Sequence, residues 1–279
     1  METCEICPRR CKVDRRTESG FCKVLWEPVV SSAMVHMGEE PPISGKRGSG
    51  TVFFAGCNLN CVFCQNYETS QRDEGVVKTV EELAIIFLGL EMQGVHNINL
   101  VTPSHFVPQI AKAVGLAKRD GINIPFVYNS SGYDAMSSLR LMEGLVDIYM
   151  PDLKYSADRL GQSYSNVPDY FSVASKALSE MYRQVGAPVI QGGVMQKGLL
   201  IRHLVLPGQT EDSKAVLDWI KANTPLAGVS LLAQYRPAYK AGKFKEINRR
   251  LTPHEYQSVA SHVNAIGLNE GFMQQQLRA

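Results

Sequence analysis

The chain has 279 residues, 44% of them hydrophobic and 20% charged, with a formal net charge of +2. That is enough apolar material for a sizeable core, and too little net charge to draw in nucleic acid or an anionic membrane by bulk electrostatics. No segment approaches the roughly eighteen uninterrupted apolar residues of a membrane span, and the first residues lack the basic-then-apolar order of a secretion signal, so a cytoplasmic protein is expected.

Residues 1–50 carry four of the seven cysteines, Cys4, Cys7, Cys11 and Cys22. Together with the turn-rich GEEPPISG (38–45), they set this stretch apart as a small cysteine-rich N-terminal metal-binding module ahead of a domain at 51–279. An odd cysteine count at metal-ligand spacings, without a secretion signal, argues against disulfides. C-x2-C-x3-C followed by Cys22 supplies four thiolates, enough to close a tetrahedral zinc site or to saturate an auxiliary cubane cluster. Structural zinc is the expectation, because nothing in the sequence indicates electron relay. Four thiolates on a divalent ion carry a charge near −2, which Arg9, Arg10, Lys12, Arg15 and Arg16 could offset. Read otherwise, this basic run is a solvated face, and no aromatic residues interleave it for base stacking. The glycines at 45–50 lead into a strand instead of following one, which makes them a plain turn and not a phosphate loop.

From residue 51 onward, apolar strand-like runs alternate with helical patterns. The runs are 51–55, 97–101, 125–128, 146–150, 199–206 and 229–233, each rich in branched or aromatic residues and bounded by Gly, Pro or Asn. Thr79 and Glu82 form a capping box ahead of a helix whose apolar face is Leu83, Ile86, Phe87 and Leu90. Val107, Ile110, Val114 and Ala117 repeat that face after the second run. Thr252, Pro253 and Glu255 open a last helix that Gly267 ends. Strand–helix alternation on this scale predicts an α/β fold with a parallel sheet.

The first run ends in Gly56-Cys57-Asn58-Leu59-Asn60-Cys61-Val62-Phe63-Cys64. Iron–sulfur cubanes are normally held by four cysteines, and no cysteine occurs beyond Cys64, so Cys57, Cys61 and Cys64 would leave one iron open to a ligand that is not protein. A zinc knot needs a fourth ligand that only a cross-site partner such as Cys22 could supply. The end of a barrel strand is also where α/β barrels collect their chemistry.

The C-x3-C-x2-C triplet with Phe63 before its last cysteine resembles the radical S-adenosylmethionine superfamily. GTVFFAGC (50–57) and CQN (64–66) are similar to the opening of glycyl-radical-enzyme activases, of which pyruvate formate-lyase activating enzyme is the type. VDIYMPDLK (146–154) and LLIRHLVLPG (199–208) resemble the activases' fourth and fifth strands. With CEICPRRC (4–11) and GEEPPISG, the likeness is to the PflX-like branch over nearly the whole chain.

The resemblance implies a partial (β/α)6 TIM-like barrel. In it a 4Fe-4S cluster on Cys57, Cys61 and Cys64 binds S-adenosylmethionine and cleaves it reductively to a 5′-deoxyadenosyl radical that abstracts hydrogen. It also implies a low-potential electron donor such as flavodoxin or ferredoxin, and a protein or peptide substrate. Modification of a small molecule or RNA, and a non-catalytic iron–sulfur or zinc scaffold, are the alternatives. Phe63 matches the residue that contacts adenine, although it could be a core aromatic, and Asn66 falls beside it. Asp152 and Lys154 match the activases' D-x-K, which contacts ribose and methionine, although a strand-end salt bridge explains them too. Arg202 shares a strand face with Leu204 and would need an anion inside the barrel, for which the cofactor carboxylate would serve; His203 opposite is its competitor. The activases' Gly-Gly-Glu is absent, and Thr102 and Ser104 stand in its place. Asn129 and its neighbour Ser130 are ribose contacts or turn formers. QYRPAYK (234–240) replaces the activases' Pro-Tyr-His segment without the His.

Overall fold

The six apolar runs form six parallel strands in chain order. A computed structural model describes residues 3–72, 74–268 and 271–273. The chain runs through β1 (Val29–His36), a one-turn α1 (Pro41–Ser44), β2 (Ser49–Phe54), α2 (Tyr67–Arg72), β3 (Val76–Val77), α3 (Val80–Glu91), β4 (Ile98–Val101) and α4 (Val107–Arg119). It continues through β5 (Phe126–Ser130), α5 (Met136–Met142), β6 (Ile148–Pro151), α6 (Asp158–Ser165), α7 (Tyr170–Val185), β7 (Val189–Gln191), β8 (Val194–Leu204), α8 (Thr210–Asn223), β9 (Gly228–Leu232), α9 (Pro253–Ala265) and β10 (Gly271–Met273).

The strand order is β10-β9-β8-β6-β5-β4-β2-β1-β3, with β7 paired to β8. Neighbours from β2 to β10 are parallel along this path. The ring does not close, because the outer edge of β2 is taken by the antiparallel β1. Both capping boxes form, Thr79 with Glu82 and Thr252 with Glu255. The apolar faces of α3 and α4 are buried against the sheet, with Leu83, Phe87, Val107, Ile110, Val114 and Ala117 fully enclosed.

Register sorts the side chains into layers. Asn99, Val127 and Ile148 lie level with one another, and Val101, Asn129 and Met150 one step higher. Since strand side chains alternate between faces, Tyr128 and Tyr149 point outward, where Tyr149 donates to Gln184 at 2.6 Å. The lower end is plugged by Ile43 of α1, which packs with Val127, Ile148, Met150, Met195 and Leu200. Asn97 fixes the plug by donating to the Ile43 carbonyl at 2.7 Å, while Ser49 donates to Asn97 at 2.6 Å. Burying one isoleucine completely contributes about 1.5–3 kcal/mol. Residues 29–50 are therefore built into the sheet and the barrel floor, and the boundary expected at residue 50 falls inside β2. No helix among the described residues is long and apolar enough to cross a membrane.

Candidate functional site

The cysteine loop leaves the upper end of β2 through Gly56, whose φ is +78° and whose position a β-carbon could not share with the Cys22 carbonyl oxygen and Val24. The loop is then pinned from several sides. Asn60 N–H donates to the Ser165 carbonyl (3.1 Å), Val62 N–H to that of Tyr164 (2.8 Å), and Lys240 N–H to that of Val62 (2.8 Å). Asn58 donates its side-chain amide to the Tyr133 carbonyl at 2.7 Å.

This holds Cys57, Cys61 and Cys64 around one cavity of about 250 Å³ at the strand ends. Each sulfur has a polar neighbour. Leu59 N–H donates to Cys57 Sγ at 3.3 Å, Ser165 Oγ lies 3.0 Å from Cys61 Sγ, and Ser70 Oγ 3.3 Å from Cys64 Sγ. Burial pushes the Cys57 and Cys61 thiols up, reinforced by the neighbouring thiols, while Lys154 pulls them down. Thiols so enclosed ionise only against a strong positive partner, which is what an iron–sulfur core provides. Cys57, Cys61 and Cys64 would hold such a core with three thiolates, leaving room in the same cavity for a ligand that is not protein. The donor set and the cavity thus fit a cluster with a ligand beside it.

The strand ends supply the polar wall. Phe63, Asn66, Thr102, Asn129, Asp152, Lys154 and Arg202 all line the cavity, with Gln65, Leu204, Leu232 and Gln234. Phe63 is 7% exposed and packs edge-on against Tyr235, ring centres 5.9 Å apart. Asp152 pairs with Lys154 at 2.5 Å and with Arg202 at 2.9 Å. Burial alone would raise the Asp152 carboxyl, but Arg202 and Lys154 outweigh it and hold the group below the usual range. Lys154 mirrors this: burial lowers it, and Asp152 more than restores it. Gly132 lets the β5 loop pass directly over the Asp152 carbonyl, a contact no β-carbon would permit.

Arg202 also donates to Asn129 at 2.6 Å and has Glu39 and Glu40, from the segment before α1, at 3.7 and 3.9 Å. Burial pushes the Glu39 carboxyl up. The anion expected for Arg202 is therefore present in the protein, as three carboxylates, without recourse to a cofactor. His203 faces away from the cavity, 1% exposed, with Nδ1 2.7 Å from the Leu153 carbonyl. Ser104 does not reach the cavity either: it is 2% exposed and lies by Asp134 and Tyr128. Ser130 lines the cavity but commits its hydroxyl to Asp134 at 2.6 Å.

Sequence reasoning missed Ser70 and Ser165, which face the cluster sulfurs, and the part of Glu39 and Glu40. Two adjacent acids before Pro41-Pro42 were a legible signal for the latter; for Ser165, 104 residues beyond Cys61, the sequence offered none. Of the 234–240 segment Gln234 lines the cavity, and Tyr239 stacks on Tyr67 at 5.1 Å.

Cys4, Cys7, Cys11 and Cys22 gather on the far side of the loop, and none lines the cavity. Burial pushes the Cys7 thiol up to about 12, with smaller contributions from Cys22, Cys11 and Cys4 close by. No disulfide joins any of the seven cysteines.

Comparison with known proteins agrees with this architecture. The chain is 33% identical over 268 residues, 92% of its length and 73% of the relative's, to the uncharacterized protein MJ0674 of Methanocaldococcus jannaschii. Among solved structures it is similar to Streptococcus suis SuiB bound to the precursor peptide SuiA, with TM-score 0.55 and 13% identity over 80% of this chain and 47% of SuiB. It is also similar to methylornithine synthase (PylB), with TM-score 0.52 and 14% identity over 80% of this chain and 71% of that one. At such identities these structures attest the fold, and the chain spans just under half of SuiB. The family model of the radical SAM superfamily matches residues 51–220, from the first barrel strand through the cysteine loop to α8. With three thiols around an open cavity at the ends of a partial parallel barrel, the chain belongs to the radical SAM superfamily.

Proposed function

We propose that the chain is an activase-like radical SAM enzyme of the PflX-like branch, abstracting hydrogen from a protein or peptide substrate. The observation that carries the reading is the cavity itself, in which Cys57, Cys61 and Cys64 stand opposite a wall of Asn129, Asp152, Lys154 and Arg202. Bound there, a 4Fe-4S cluster and S-adenosylmethionine would supply a 5′-deoxyadenosyl radical.

The chain's own part is to bind, orient and exclude water. Cys57, Cys61 and Cys64 would hold the cluster, and the Leu59 amide with the Ser70 and Ser165 hydroxyls would polarise their sulfurs. Phe63 offers an apolar face to adenine. Asn66, Thr102 and Asn129 offer polar contacts to the sugar and the amino acid part. Lys154, fixed by Asp152, presents the cation nearest the thiols. The activases' acidic motif after β4 is missing, and Asp152 takes over as the carboxylate within the cavity. Gln234 lines the cavity, and the rest of its segment with Tyr67 would flank the way in. A rim of paired tyrosines and a lysine is suited to an extended polypeptide, and SuiB, of similar fold, binds a precursor peptide. Cys4, Cys7, Cys11 and Cys22 form a second, saturated metal site. Seven unpaired thiols support a reducing cytoplasmic setting, with a donor of the flavodoxin or ferredoxin class.

Anaerobic incubation of reconstituted protein with dithionite and S-adenosylmethionine tests the reading. The expected product is 5′-deoxyadenosine, and its absence from fully clustered protein refutes the enzyme. Added candidate substrates should yield a protein-bound radical in electron paramagnetic resonance, a doublet if the acceptor is a glycine. Deuterium passing into 5′-deoxyadenosine only from labelled small molecules or RNA would refute the polypeptide substrate.

A further inference from the structure

The segment that follows β9 is a fixed loop. Leu232 and Gln234 line the cavity, and the Gln65 side chain donates to the Gln234 carbonyl at 3.3 Å. Tyr235 is buried, and its hydroxyl donates to the Ile247 carbonyl at 2.6 Å, which ties the two ends of the loop together. In between, Lys240 N–H donates to the Val62 carbonyl at 2.8 Å and Tyr239 stacks on Tyr67, so the loop rests on the chain that carries the cysteine triplet. Turn bonds from Ala241 N–H to the Ala238 carbonyl (3.0 Å), Lys243 N–H to that of Lys240 (3.1 Å) and Phe244 N–H to that of Ala241 (3.0 Å) hold its shape. Phe244 packs edge-on against Tyr164, ring centres 5.3 Å apart.

The charge of this loop is one-sided. Residues 234–250 hold six Lys and Arg and a single acid, Glu246, so in the rest of the chain acids outnumber bases. Glu246 accepts from the Tyr164 hydroxyl at 2.6 Å, and the loop's one ion pair among the described residues is Arg249 with Glu255 at 2.7 Å. Arg236, Lys240, Lys243, Lys245 and Arg250 are exposed, and among the described residues none of them has a carboxylate within ion-pair distance. A flexible run of lysines would spread into solvent. Here like charges are held together by the turns beneath them, and their mutual repulsion is relieved when an anionic partner lies across them.

Resting on the reading of the chain as an enzyme that acts on a polypeptide, we propose that residues 236–250 dock an acidic stretch of that polypeptide, beside the residue that gives up hydrogen in the cavity. The loop begins at a cavity wall, so whatever lies along it lies next to the reacting group. It spreads more cations than a single small-molecule carboxylate engages. Nucleic acid also brings anions, but single strands are gripped by bases stacked on open aromatic rings. The rings of this region are already occupied: Tyr235 is buried, Phe244 packs on Tyr164, and Tyr239 and Tyr67 face each other with Lys240 Nζ 4.5 Å from the first and Arg72 5.6 Å from the second. An acidic polypeptide needs the cations alone. Complementary charge of this kind speeds encounter and selects the partner.

Fluorescence anisotropy on the full, cluster-loaded chain with S-adenosylmethionine reads binding without catalysis. The probes are labelled peptides of alternating Glu and Gly or alternating Lys and Gly, and an oligouridylate matching the first in charge. The Glu-Gly peptide should bind about tenfold or more tightly than either of the others, and Lys243→Glu/Lys245→Glu should weaken it about tenfold. Raising salt from about 0.1 to 1 M, which shortens the screening length from about 10 to 3 Å, should remove the preference. The same change of charge at Lys112 and Lys176, on α4 and α7, should leave binding as it was; an equal loss there would make the effect one of bulk charge and refute the placement. Absent binding of the Glu-Gly peptide, undiminished binding by the Lys243→Glu/Lys245→Glu protein, or equal or tighter binding of the oligouridylate overturns the proposal. The radical reading is tested apart, by 5′-deoxyadenosine formed from dithionite and S-adenosylmethionine with no peptide present: its absence counts against that reading, and failed anisotropy in protein that does form it counts against the docking loop alone.

Discussion

Asp152→Asn isolates the electrostatic heart of the cavity. The amide keeps the shape of the carboxylate but cancels no charge, and it leaves Lys154 without its 2.5 Å partner and Arg202 without its 2.9 Å partner. Removing one member of a buried ion pair costs about 3–5 kcal/mol. Arg202 keeps Glu39 and Glu40 at 3.7 and 3.9 Å, so the loss falls mostly on Lys154 and belongs at the lower end, about 3 kcal/mol. Urea denaturation of the metal-free protein should show the midpoint falling with an unchanged slope, since no additional surface is exposed. A cycle with Lys154→Met should then give a coupling of about 2 kcal/mol, because with both groups gone no charge is stranded. Additivity of the two single changes within about 0.5 kcal/mol would refute the claim that Asp152 acts through Lys154.

Gly56→Ala should destabilise by about 1–3 kcal/mol, from positive φ and the collision with the Cys22 carbonyl; a neutral result in thermal denaturation would show that the loop can relax away from the N-terminal segment. Burial holds His105 down at about 3, as the neutral ring against the Ala55 carbonyl at 2.8 Å. Its folded pKa is depressed, so the unfolded chain takes up a proton that the folded chain refuses between about pH 6.5 and 3. Stability should therefore be lost as pH falls through that window, by about 1.4 kcal/mol per pH unit, and be unaffected by this residue above it. His105→Gln should flatten the slope of urea midpoints between pH 7 and 5, and an identical slope in both proteins would sink the assignment. Phe63→Ala should weaken S-adenosylmethionine binding about tenfold, roughly 1.4 kcal/mol, at unchanged iron content in equilibrium dialysis; loss of iron instead would mark Phe63 as a packing residue of the loop.

Much of the barrel was legible because its parallel strands are buried on both faces and read as short apolar runs. The two capping boxes were legible because their partners are three residues apart. β1 escaped notice: its outer half is exposed and VVSSAMVH alternates poorly. The cysteine triplet, Phe63, Asp152, Lys154 and Arg202 could be picked out from motif and strand position, and all reach the cavity. Ser104 did not, because Thr102 adopts φ of +61° and the chain turns Ser104 inward toward Asp134. Arg202 was read with the need for an anion but not with its source, since Glu39 and Glu40 come from another part of the chain. Side-chain pairs far apart in sequence carry no local periodicity, so no pattern along the chain announces them.

The floor of the barrel has a consequence for how the chain is made. Ile43 and Glu40 leave the ribosome early, yet Leu200 and Arg202, which they need, belong to a strand roughly 160 residues later. At ~5–20 residues per second the wait is about 8–30 s, during which an apolar plug and two acids have nowhere to settle. Contacts so distant in sequence slow folding. The nascent N-terminal arm thus waits for its barrel partners during translation, and whatever reaches its cysteines in that interval does so before the barrel exists.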